Sequence, residues 1–209
     1  MTTKAFGVKD LKIEGTGTPT IESPSGGDLQ VTAATTTFSG NIVVNGTMGG
    51  SAGKVINVWT DNKGDAISTT STGWFDVPGL DITLTPNNVA SEFLIIANIN
   101  LSYNNSSGHD GLARLVKLTG GTTTAIGNGS GATGGSDKEG FAQVAGQNSY
   151  YQTSNSSITY LDDANITTSI TYKIQIRCNN GSWKTYVNRR SAVDDFRTSS
   201  SITVMELSS

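Results

Sequence analysis

The sequence predicts an all-β protein in two parts: an N-terminal β-stem intertwined from several chains, then a C-terminal jelly-roll-like β-sandwich. Three observations carry this. Ser and Thr make up about a quarter of the 209 residues, 25 residues are Gly, and only 35% are hydrophobic. Thr suits pleated strands and Gly suits tight turns, whereas helical bundles need runs of Leu, Ala, Glu and Lys. Short segments with apolar residues two apart recur along the chain, which is the period of a strand with one buried face. Finally, the composition shifts after "MGGSAG" (Met48 to Gly53): all three Trp and all six Tyr lie beyond it.

The first fifty residues repeat one small motif. "DLKIEG", "DLQVTA" and "NIVVNG" each open on Asp or Asn and carry an apolar pair: Leu11/Ile13, Leu29/Val31 and Ile42/Val44. The linkers between them, "TGTPTIESPSGG" and "ATTTFSG", hold Pro, Gly and Ser turn signals. So few large apolar residues cannot make a core within one chain. Several copies wound about one axis can, with Leu29, Val31, Phe38, Ile42 and Val44 as the expected stem core. The Gly joint after Met48 ends the stem.

The second part reads as strands separated by turns. "KVINVWT" (Lys54 to Thr60) alternates. "GWFDVPGLDITLTP" (Gly73 to Pro86) reads as two short strands broken at Pro78-Gly79. "SEFLIIANINLSY" (Ser91 to Tyr103) is the longest apolar run and the candidate central strand. "LARLVKLT", "SSITYLDD", "TYKIQIRC", "WKTYVNR" and "SSITVMEL" follow. "GGTTTAIGNGSGATGGSDKEG" (Gly120 to Gly140) reads as an exposed loop with a short strand at Thr124 to Ile126. About eight strands of such length fit a jelly roll.

The chemistry is sparse. A net charge of -3 and a pI near 5.1 argue against nucleic acid, which calls for clustered Lys and Arg. "MTTKAFGVKD" lacks the apolar core of a signal peptide, and no run is long enough for a membrane-spanning helix. One Cys and one His make a zinc site unexpected, so neither metal nor cofactor is expected. Cys178 reads as a small buried residue. His109 invites a Ser-His-Asp triad, but its neighbours in "SSGHDG" read as a turn, and the Glu residues are scattered, so no enzyme is expected. Asp162/Asp163 in "YLDDAN" reads as a turn rather than a calcium site. "NSYYQTSNSS" sets Tyr150 and Tyr151 among small polar residues, as binding loops do.

From about Thr35 onward the chain resembles fibre-type structural proteins of tailed bacteriophages, especially those of marine and cyanobacterial hosts. The resemblance rests on "TTTFSGNIVVNGT" followed by "GKVINVWTDNKGDAISTTSTGWFDVPGLDITLTPNNVASEFLIIANIN", and on the closing "ITYLDDANITTSITYKIQI…YVNRRSAVDDF…SSSITVMEL". It implies a homotrimer within a virion. Residues 1–15 would attach to other virion proteins, 16–50 would form the stem, and 54–209 the tip. It implies a tip that binds a host surface glycan or protein, with His109, Tyr150, Tyr151 and Asn155 as candidate contacts. The alternative is a capsid fibre or decoration protein with a purely structural role. This stem is shorter than the shafts of long tail fibres.

Overall fold

The computed structural model describes residues 54–104, 110–129, 138–145, 153–190 and 196–208. All of them fall within a unit that runs Thr47–Ser209. The expected stem, with Leu29, Val31, Phe38, Ile42 and Val44, lies outside the described residues, as does the attachment segment. The described residues are all-β, with eleven strands: β1 (Val55–Lys63), β2 (Ile67–Thr69), β3 (Phe75–Leu84), β4 (Glu92–Tyr103), β5 (Asp110–Thr119), β6 (Thr122–Ile126), β7 (Ala142–Ala145), β8 (Ser154–Asp163), β9 (Ile170–Cys178), β10 (Thr185–Val187) and β11 (Ser200–Leu207). No helix among them is long and apolar enough to cross a membrane.

Every strand pairing is antiparallel, and the strands form two sheets. The first runs β1-β11-β4, with β8 on the far side of β4 and β10-β2 extending beyond β11. The second runs β3-β9-β5, with β6 and β7 both beside β5. β4 is the hub of the first sheet, as its length and apolarity predicted. One flank pairs with β8 from Glu92 to Leu101; the other pairs first with β11 and then with β10.

The core lies between the sheets because alternation puts one apolar side chain in two on each inner face. Phe93, Ile95, Ala97 and Ile99 of β4, with Ile202 and Val204 of β11, face Leu80, Ile82 and Leu84 of β3 and Ile170, Tyr172, Ile174 and Ile176 of β9. Phe93 and Tyr172 meet across the sandwich, with ring centroids 5.9 Å apart. Cys178 is free and buried, as expected of a small core residue.

Buried polar groups tie the elements together. Glu206 of β11 is fully buried. It accepts bonds from Asn57 Nδ2 of β1 (2.9 Å), and from the backbone N–H (2.7 Å) and Nδ2 (2.9 Å) of Asn87. Asn87 lies in the segment that crosses from β3 in one sheet to β4 in the other. Burial pushes the Glu206 carboxyl up, but the bonds from Asn57, Ser91 and Asn87 outweigh it and hold the group below its ordinary value. At the open flank, Lys117 Nζ of β5 meets Asp162 Oδ1 of β8 at 2.8 Å, and Tyr172 donates its hydroxyl to Asp162 at 2.7 Å.

Three sequence expectations change. "GWFDVPGLDITLTP" forms one strand, not two. β3 keeps its pairing with β9 on both sides of Pro78-Gly79, but five residue steps from Asp76 to Asp81 oppose two from Gln175 to Lys173. Pro78 has no N–H to give the ladder, and Gly79 takes φ 77°, so the extra length bulges outward. "YLDDAN" is not a turn at its aspartates: Asp162 and Asp163 end β8, and the left-handed residue is Asn165. β2 and β7 were unforeseen, being three and four residues long.

Candidate functional site

The outer face of the first sheet is graded. Strand register sets Val58, Met205, Leu94 and Leu161 in one row across β1, β11, β4 and β8. The next row is Thr60, Thr203, Ile96 and Thr159, with the hydroxyls of Thr60 and Thr203 3.0 Å apart. The row after that is Asn62, Ser201, Asn98 and Ser157. Val58 is 57% exposed, Leu161 49% and Ile96 39%. An antiparallel sheet facing water normally turns polar residues outward. Here an uncharged apolar row lies open beside a last row that holds Glu92 opposite Asp163, and amides and hydroxyls fill the other end.

Asn155, expected to contact a receptor, lies at the polar end of this face. Its Nδ2 donates to Asn98 Oδ1 (2.8 Å) and Asn100 Oδ1 (3.0 Å), and Asn98 returns a bond at 3.3 Å. Much of its amide capacity is therefore spent within the sheet. His109, Tyr150 and Tyr151 lie outside the described residues.

The outer face of the second sheet is different in kind. Trp74 lies against the Arg114 guanidinium, 4.2 Å from the ring centroid, with Arg177 at 5.6 Å. Arg114 Nε donates to Gln175 Oε1 (2.8 Å), and Gln175 Nε2 donates to Asp76 Oδ1 (2.6 Å). Lys173 Nζ holds the other oxygen of Asp76 at 2.6 Å. Burial raises the Asp76 carboxyl, and the Lys173 and Gln175 bonds more than reverse this, leaving it below the ordinary value.

Beside this network the β3 bulge opens a groove of 420 Å³, lined by Asp76, Val77, Pro78, Asp81, Thr83, Thr171 and Lys173. That volume lies within the range of small-molecule sites, about 300–1,000 Å³. The Thr83 and Thr171 hydroxyls are 2.8 Å apart. Asp81 is exposed, and among the described residues its carboxylate has no hydrogen-bond or ion-pair partner. Sequence reading missed this site, because Pro-Gly inside an alternating run signals either a break or a bulge. No group of three or more His, Cys, Asp or Glu among the described residues is arranged to hold a metal ion.

No protein-family model matches the chain, and no curated protein matches it. Among solved structures it is similar to a chain in the structure of infectious bursal disease virus, Gx strain. The TM-score is 0.37 and the identity 13%, over 79% of this chain and 46% of that one. The chain thus spans less than half the length of that structural neighbour.

Proposed function

We propose that the chain is the subunit of a homotrimeric virion fibre whose C-terminal sandwich binds the host cell surface without enzymatic action. The observation that carries this reading is the open apolar row Val58, Met205, Leu94 and Leu161. One chain leaves it in water; neighbouring copies would cover it. The row itself holds no charge, and copies that meet it while leaving Glu92 and Asp163 of the next row at the rim desolvate no ion. β1 supplies one end of the row and follows directly on the segment read as the stem, so the same association would join stem and tip.

The strand order supports a jelly-roll reading. β1-β11-β4-β8 faces β3-β9-β5-β6, which is the four-against-four order of two Greek keys. β7 would share the place of β6, and β2 and β10 would be additions. Other virion proteins are the proposed partners of residues 1–15. Native mass spectrometry of the full chain is expected to give three subunits, and a stable monomer at micromolar concentration sinks the proposal. Cell adsorption competed by host surface polysaccharide distinguishes a receptor-binding tip from a purely structural capsid fibre. Incubation with that polysaccharide is expected to leave its length unchanged.

A further inference from the structure

The groove at the β3 bulge has a hydrogen-bonding inventory that selects its ligand. Asp76 is occupied: one oxygen holds Lys173 and the other holds Gln175. Lys173 has three N–H donors and gives one to Asp76, so two remain for a ligand. Asp81 offers an open carboxylate, able to accept from two adjacent hydroxyls. Thr83 and Thr171 share one proton, which leaves the second hydroxyl proton and spare lone pairs. Pro78 supplies an apolar wall without an N–H.

Charge narrows the choice. The lining carries two carboxylates, Asp76 and Asp81, against one ammonium, Lys173. With Asp76 held by Lys173, the lining charge left open is Asp81, and an anionic ligand would face it. A neutral ring with neighbouring hydroxyls would give protons to Asp81, take them from Lys173 and Thr171, and rest its C–H face on Pro78. We propose that this groove binds a neutral hydroxylated sugar ring, with Asp81, Lys173 and Thr171 as its polar contacts. The inference builds on the host-binding reading by giving it a site and a ligand class. The ring can come from a free monosaccharide or from a surface glycan.

The test is amide chemical-shift mapping by NMR on the full chain with glucose, galactose, mannose and glucuronate. A single ring held this way binds in the millimolar range, about 1–100 mM. At least one neutral sugar is expected to shift the amides of Asp81, Thr171 and Lys173. Asp81→Ala and Thr171→Val are each expected to weaken that response at least fivefold, and glucuronate at least tenfold relative to the neutral sugar. Asp81 is exposed, and Asp81→Asn, of the same shape, guards against a folding artefact. No shift with any neutral sugar, shifts confined to other faces, or tighter binding of glucuronate overturns the assignment.

Adsorption of the full chain to host cells separates the two claims. Adsorption that Asp81→Ala leaves intact refutes the groove as the attachment site and leaves the fibre reading standing. A wild-type chain that binds sugar in the groove but never adsorbs refutes host binding and leaves the groove standing. If neutral polysaccharide binds in the groove with at least tenfold higher affinity than the monosaccharide, a surface glycan is the source; equal affinity points to the free sugar.

Discussion

Replacing Glu206 by Gln removes a charge from the centre of a buried polar joint while keeping its shape. Glu206 Oε2 accepts from both Asn57 and Asn87 side chains at 2.9 Å, and Oε1 accepts the Asn87 backbone N–H at 2.7 Å. Gln offers one oxygen and one amide, so either the two side-chain donors or the backbone donor faces an N–H₂. Keeping the oxygen on the two side-chain donors loses one charge-assisted bond and keeping it on the backbone N–H loses two, each about 1.5 kcal/mol, so the cost is about 1.5–3 kcal/mol. In a domain of this size that lowers the melting temperature by about 3–12 °C. The sign with pH is fixed by the carboxyl lying below its ordinary value when folded. The Glu206 contribution is complete above the ordinary value of 4.5 and is lost as pH falls through the folded value. Calorimetry at neutral and acid pH should therefore show the gap between wild type and variant narrowing with acid. A melting temperature within about 2 °C of wild type, or a gap independent of pH, refutes the claim that this carboxylate pins the β3–β4 crossing as an anion.

Three further outcomes follow from the packing. Lys117→Met leaves Asp162 buried with only the Tyr172 hydroxyl and should cost about 3 kcal/mol in urea unfolding; adding Asp162→Leu should recover part of it. Gly111→Ala drives a Cβ to 2.6 Å from Thr185 Oγ1, which bonds Arg177 O across the sheets at 3.0 Å. A loss of about 1–3 kcal/mol in the same assay is expected, and no loss shows that the sheets can part locally. Val58→Lys with Leu161→Lys should weaken the proposed self-association at least tenfold in sedimentation, yet move the stability of the single chain by only about 0.5 kcal/mol per site.

Much of the described fold was legible because period-2 alternation is a local signal. Eight of the quoted strand segments correspond to strands, and "SEFLIIANINLSY" is paired on both flanks as its apolar length implied. What alternation cannot reveal is pairing at a distance. β2 and β7 carry too few residues for a period and exist because β10 and β5 offer them an edge. Asp162 read as a turn residue because its partners, Lys117 and Tyr172, come from other strands. The apolar row had a visible signal: in "FLIIANI" both parities are apolar, so Leu94 and Ile96 point outward while Phe93 and Ile95 point inward. The groove was less legible, because Pro78-Gly79 reads equally as a break or a bulge until the register of β9 decides between them.

The partner of β1 is β11, from Val55↔Leu207 to Lys63↔Ser200. Everything between those strands must leave the ribosome before the first can close against the last. At synthesis rates of about 5–20 residues per second, that is a wait of roughly seven to thirty seconds. Through that interval β1 has no ladder and the row begun by Val58 is incomplete. Closure of the first sheet is thereby delayed until β11 has been made, and a truncated product lacking β11 leaves β1 without its only ladder among the described residues.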